Sequence, residues 1–424
     1  MIPDLRDRFN RRFAAANYAS LLAELEKRCG ASVDFRVAET PIFVPLALLE
    51  KMAGAGAGLA RALLAERACL EAARNAIPPG YCVPGEAAHP NFLTADFSLV
   101  RDSSGQLTPR LVEIQAFPSV YGYQVELCAS YRDTFRIEET LHAFLGGLDE
   151  NGYWNLLRRT IVGDCDPLNV ILSELDPLHQ KTRPDFEVTA RRLGIAVVDI
   201  RGLEAVGNKL HYRDASGRRI PIRRIYNRAI ADELIARNVR LPFHWTHPWD
   251  VEWAGHPNWY FLISKFSIPW LSRLHSQPSV VPPAVFLSDF LSGPGREELA
   301  KAGVELPADS DPETVLRDVL LKPLFSFAGK GIVFEPTYAQ LEAIPPEERS
   351  GFLLQQRMFF EPTIETPHGL TQAEIRILYL WPEGSELTPA LSLVRLGRGK
   401  MMGVDHNRDQ QWVGASAAFF PEDP

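Results

Sequence analysis

Residues 319–334 read VLLKPLFSFAGKGIVF. An apolar run ends at Lys322-Pro323, a short loop carries Ser326, Gly329, Lys330 and Gly331, and a second apolar run, IVF, follows. The pattern predicts two strands joined by a glycine-containing loop. Glycines let backbone N–H groups approach phosphate oxygens closely, and a lysine adds a point charge to them. A P-loop opens a helix, so a loop between two strands is a different device. A surface hairpin with a turn glycine and solvated lysines has the same pattern, so the neighbouring segments decide.

Downstream, FLLQQRMFFEP (352–362) predicts a strand carrying Gln355, Gln356, Arg357 and Met358 and broken by Pro362. Backbone groups of such a hinge can pair with an adenine edge while apolar neighbours enclose the ring. In AEIRILYLW (373–381), Glu374 and Arg376 share one strand face and Ile375 and Ile377 take the other, which implies a polar cleft or a solvent face. LVRLGRGK (393–400) clusters Arg395, Arg398 and Lys400 between glycines, and clustered cations suit the charge that develops in phosphoryl transfer. Upstream, RLVEIQAFPSVYGYQ (110–124) sets Glu113 and Gln115 two apart, so both point the same way as a hard-oxygen pair for magnesium. Ser119 and Tyr123 follow where a substrate could rest. Each segment also reads as ordinary structure. Together they stand in a sensible order for one nucleotide site.

The remaining chain bounds this reading. Its 424 residues suggest two or three domains, with 46% apolar and 23% charged residues as in soluble globular proteins. No apolar run approaches the roughly 18 residues a membrane span needs. The opening MIPDLRDRFNRRF lacks a signal core, and its acidic residues argue against a transit peptide. A net charge of −8 gives no general attraction to nucleic acid. The five cysteines lack metal-type spacing and read as reduced, buried thiols of a cytoplasmic protein. Residues 1–75 show helical spacing, interrupted by AGAGAGLA (53–60), which is expected to pack closely against something. FLTADFSLVRDSSGQLTPRLVEIQAF predicts a hairpin, and PLNVILSEL, a helix near Glu187–Leu193 and IAVVDI predict a small parallel sheet. Prolines at 278, 282 and 283 mark a linker. The class is α/β or α+β with mixed sheets.

On these motifs the chain resembles the ATP-grasp superfamily, particularly its permuted branch, eukaryotic-type glutathione synthetase, with glutathionylspermidine synthase more distantly similar. Ordinary ATP-grasp enzymes keep an acidic-x-amide metal pair near the C-terminus, whereas here LVEIQAFPS precedes the lysine loop. The resemblance implies a circularly permuted ATP-grasp fold. Its parts would be an N-terminal helical segment (1–90), core segments at 91–165 and 356–424, a Rossmann-like substrate lobe (166–285) and a small lid (286–355). It implies Mg2+ on Glu113 and Gln115, and ATP held by Lys322, the Ser326–Gly331 loop, the Gln355–Met358 hinge and Lys265 in HPNWYFLISKF. Substrate would meet Ser119 and Arg228 in RRIYNRAI, and Arg398 and Lys400, with Arg376, would assist the chemistry. The implied activity joins a small-molecule or short-peptide carboxylate to an amine through an acyl phosphate, releasing ADP and phosphate. Whether the chain forms a homo-oligomer stays open.

Three positions depart from the family pattern. Ser326 stands where a metal-binding glutamate is expected, with Glu374 as a substitute. Gln115 replaces an asparagine, and Thr94 replaces a substrate arginine. Asp405-His406-Asn407 is a rival acidic-x-amide pair, with flanks that read as loop. An ATP-binding regulator without turnover is the alternative function.

Overall fold

The computed structural model describes residues 1–102, 104–274, 280–307, 311–325, 329–403, 407 and 409–422. Ser326, Asp405 and His406 lie outside them.

Strands β1 (Phe92–Arg101) and β2 (Leu107–Gln115) form the expected hairpin. Its turn closes because Asp102 Oδ1 accepts from the N–H groups of Ser104 and Gln106, at 2.9 and 3.0 Å, while Gly105 takes φ 80°. Strands β3 (Val170–Glu174), β4 (Ala196–Asp199), β5 (Arg224–Asn227) and β6 (Glu252–Ala254) make an all-parallel sheet in the order β6-β5-β3-β4. Strands β7 (Ala284–Phe286), β8 (Val319–Pro323), β9 (Val333–Phe334) and β10 (Phe352–Gln356) make an antiparallel sheet, β7-β10-β8-β9, with its own core around Leu321, Leu341 and Leu354. The chain then returns to the hairpin. Strands β11 (Pro362–Thr366), β12 (Gly369–Leu380), β13 (Thr388–Gly397) and β14 (Gly414–Ser416) complete the largest sheet, ordered β14-β13-β12-β1-β2, with β11 on β12.

One face of this large sheet buries Ala95, Phe97, Ile375, Ile377 and Val394 against the helix Leu46–Ala65. Contrary to expectation, AGAGAGLA does not interrupt that helix but lies within it. Its small residues serve close approach: a Cβ on Gly56 would run into the Tyr379 hydroxyl. That hydroxyl donates to Ala53 O at 2.8 Å, tying helix to sheet.

Cys29, Cys69 and Cys128 are buried, but Cys82 is exposed and Cys165 partly so, a departure from five buried thiols. Among the described residues no helix is long and apolar enough to cross a membrane.

Candidate functional site

The other face of the large sheet carries a row of charge. Cross-strand register places Arg395 opposite Glu374, Arg376 opposite Asp96, and Asp96 opposite Glu113. Arg376 donates to both oxygens of Asp96, at 2.6 and 2.7 Å, and Arg395 donates to Asp96 at 3.1 Å and also to Glu374. Burial alone would raise the Asp96 carboxyl, but the two guanidiniums outweigh it and hold it below the usual range. Glu374 moves the other way: burial, with Asp96 adding to it, exceeds the pull of Arg395 and Arg376. Glu374 and Arg376 are each 6% exposed, so the predicted charged face is a buried one rather than a solvent face.

Other elements bring lysines to this row. Lys265 follows the helix Trp259–Leu262, and its Nζ lies 3.4 Å from Glu113 Oε1. Lys322 projects from β8 on the face it shares with Leu320, Leu353 and Gln355, while Val319, Leu321 and Leu354 fill the small core behind. It makes no ion pair among the described residues. Burial lowers its ammonium to about 8; Glu113 and Glu374 resist this and Lys265 adds to it. Lys322 therefore sits within electrostatic reach of Glu113, Glu374 and Lys265. Glu113, Gln115, Tyr260, Ser264, Lys265, Leu324 and Phe325 line a cavity of about 10 Å³, room for about one water.

The hinge segment passes close by. Ser98 Oγ, on the strand position opposite Glu374, donates to Met358 Sδ at 3.7 Å. The N–H groups of Gln356 and Arg357 already donate to Pro283 O and Asp318 O, at 2.8 and 2.7 Å. Gln355 is fully buried, and both polar atoms of its side chain lack partners among the described residues. Such an amide is held in place at a free-energy cost of about 1–3 kcal/mol unless something else satisfies it.

The loop glycines have structural reasons. Gly329 and Gly331 have φ 73° and 80°, and a side chain would meet Met401 at the first and Pro323 at the second. Lys330 is exposed. Lys400 lies 3.7 Å from Glu335, which also pairs with Arg357. Arg398 donates to Gln411 O at 2.9 Å and Thr366 Oγ1 at 3.1 Å. Those contacts are with neither the lysines nor the carboxylate row.

A second polar centre lies where the parallel sheet ends. Arg228, just past β5, donates to Pro118 O beside Ser119, and its guanidinium stacks 5.3 Å from Phe117 and from Phe186. Glu174 ends the neighbouring β3, and burial, opposed by Arg228, pushes its carboxyl up to about 8. Crevices at the carboxyl ends of parallel strands are where α/β sheets bind ligands. Ser119 is half-buried at this place, but Tyr123 is not available: it is 1% exposed and packs 5.3 Å from Phe35. The sequence places it after Ser119, where a substrate could rest. Instead Gly122 and Tyr123 begin the helix Tyr121–Phe135, and their N–H groups donate to Asp185 Oδ1.

Sequence reasoning passed over Asp96, Glu174, Asp232 and Tyr260. For Asp96 and Glu174 a signal existed: each is a lone carboxylate in an otherwise apolar strand, LTADFSLV and VILSEL. Asp232 and Tyr260 gave none, since their meeting depends on the fold.

No protein-family model matches the sequence, and no curated protein matches it. Among solved structures, the chain is similar to a glutathione synthetase-like effector (GSS30) from Globodera pallida in its apo form, at 11% identity and TM-score 0.51, covering 95% of this chain and 97% of that one. A protein inferred to be a gamma-glutamylcysteine synthetase from Methylobacillus flagellatus KT aligns at 12% identity and TM-score 0.35, over 85% of each chain. The first likeness spans nearly the whole of both chains at an identity that speaks only of architecture: this chain has a glutathione synthetase-like fold.

Proposed function

We propose that the chain is an ATP-dependent carboxylate–amine ligase of permuted ATP-grasp architecture. The observation that supports this reading is that Glu113, Gln115 and Lys265, from separate parts of the chain, line one cavity, with Lys322 within electrostatic reach of Glu113, Lys265 and Glu374. Two lysines suit phosphate oxygens, and the carboxylate-plus-amide set suits a hard cation. Glu113 and Gln115 would hold Mg2+, with Glu374 as a further carboxylate; the ion, when bound, neutralises charge on the phosphate oxygens. Gln355, a buried amide lacking partners, fits a base or ribose edge beside the Gln356–Met358 hinge. The antiparallel sheet at 284–356 acts as the lid, and the parallel sheet with Arg228 and Ser119 selects the acid.

In the proposed reaction the substrate carboxylate takes the γ-phosphoryl group, and an amine then displaces phosphate from the acyl phosphate. Arg376, fixed by Asp96, keeps the charged row rigid. Lys400 and Arg398, in the segment after β13, contact Glu335, Gln411 and Thr366 and would have to swing toward the row to assist the chemistry. Isothermal titration of Mg-ATP tests the reading: Lys322→Ala should weaken binding at least tenfold, and unchanged affinity would remove the phosphate role. The alternative is an ATP-binding protein without turnover, favoured by Ser326 at an expected carboxylate position and by a structural neighbour described as an effector. That protein would bind Mg-ATP yet release no ADP with any pool of acids and amines.

A further inference from the structure

An amine reaches a ligase as an ammonium ion, and it has no lone pair for attack until a proton leaves. We propose, resting on the ligase reading, that Asp232 and Tyr260 form the subsite for this ammonium group and that Asp232 takes its proton. Asp232 stands four residues beyond Arg228, in the short helix Ala231–Ala236. The Tyr260 hydroxyl donates to Asp232 Oδ2 at 2.7 Å, which orients the carboxylate. Oδ1 accepts no hydrogen bond among the described residues, so it is open to a second donor.

The placement matches the task. Tyr260 lines the same cavity as Glu113, Gln115 and Lys265, and its ring also packs 5.8 Å from Phe117, the ring that carries Arg228 on its other contact. Asp232 and Tyr260 thus bridge the proposed acid crevice and the proposed phosphate cleft, where an attacking nitrogen has to arrive. The rings of Phe261, at 4.9 Å from Tyr260, and Phe325, at 6.4 Å, complete an aromatic wall. Aromatic faces attract cations, and a carboxylate beside them gives an ammonium both partners it needs.

The charges around the pair agree with this role. Burial raises the Asp232 carboxyl and outweighs the Tyr260 hydrogen bond and the charge of Lys265, so the group is a stronger base than a solvated aspartate. Burial and the neighbouring Asp232 raise the Tyr260 phenol further above its usual range, so it remains a donor. Lys265 is itself paired with Glu113. The proton balance closes: one N–H proton passes from the ammonium to Asp232 Oδ1, the freed electron pair bonds the acyl carbon, phosphate leaves with the C–O pair, and a second N–H proton follows to that phosphate.

Titration calorimetry with n-butylamine, and with n-butanol as its neutral counterpart, tests the subsite in the chain held with Mg-ATP. The wild-type chain should bind n-butylamine at least tenfold more tightly than n-butanol. Asp232→Asn should abolish that margin and Tyr260→Phe should narrow it. The proposal is overturned if the wild type shows no preference for the amine, or if both variants keep the full margin. Should Asp232→Asn fail to fold, Tyr260→Phe, which removes a single hydroxyl, decides alone. Failure of the ligase reading looks different: the amine preference stands while the wild type releases no ADP.

Discussion

Lys322 carries a stability penalty, and the phosphate role proposed for it would depend on the same buried charge. Its folded-state ammonium is lowered to about 8 by burial, against about 10.4 for a solvated lysine. Below pH 8 both folded and unfolded chains hold the proton, and the full desolvation penalty weighs on the fold. Between about 8 and 10.4 the unfolded chain holds more protons, so this group's contribution to stability improves as pH rises through that window. The phosphate binding proposed for Lys322 would have the opposite sign, because it needs the charged form. Mg-ATP affinity should therefore fall about tenfold at pH 9 relative to pH 7, an effect that Lys322→Arg should flatten; titrations across pH measure it. Asp96 makes a second test. Asp96→Ala leaves the buried Arg376 without its carboxylate, and the half-buried Arg395 with Glu374 alone, and should destabilise the chain by about 3–5 kcal/mol in urea unfolding. Asp96→Leu combined with Arg376→Leu should lose less than Asp96→Ala alone, since it removes a buried charge along with its partner.

At the scale of elements, strand faces were legible from alternation, and one was not. Glu374, Arg376, Ile375 and Ile377 follow period 2 and fall on the faces expected. Glu113 is different. Leu111 and Glu113 are two apart and would share a face in a regular strand. The register slips between Asp96 and Phe97, so that Phe97 faces Leu111 and Asp96 faces Glu113, with Val112 as the extra residue of a bulge. Leu111 thereby enters the core while Glu113 turns to the charged row. No residue type in LVEIQ announces a bulge. The glycine-rich stretch was read correctly as a close approach and incorrectly as a break, because glycine weakens a helix by only about 1 kcal/mol and packing against Tyr379 more than offsets it. Gly56→Ala should lower stability by about 1–3 kcal/mol through overpacking. Combining it with Tyr379→Phe should recover part of that loss, as the two changes share one contact; a double-mutant cycle of melting curves measures the coupling.

At the scale of the molecule, the cleft between Gln115 and Phe325 holds about 10 Å³, far less than a triphosphate needs. If the ligase reading holds, Mg-ATP at 100 times its dissociation constant should stabilise the chain by about 2.7 kcal/mol, seen as a raised melting temperature. Lys265 and Lys322 were individually visible in the sequence, but nothing there measured the space between them. The pairing of β1 with β12 has its own consequence for biosynthesis. Asp96 leaves the ribosome some 280 residues ahead of Arg376, so the large sheet cannot zip until nearly all of the chain has been translated. The β7–β10 unit, whose apolar interior is drawn from residues 285–354 alone, can condense earlier on the nascent chain. During that interval β1 and β2 wait as a hairpin without their central partner, exposing an edge that a chaperone would be expected to shield.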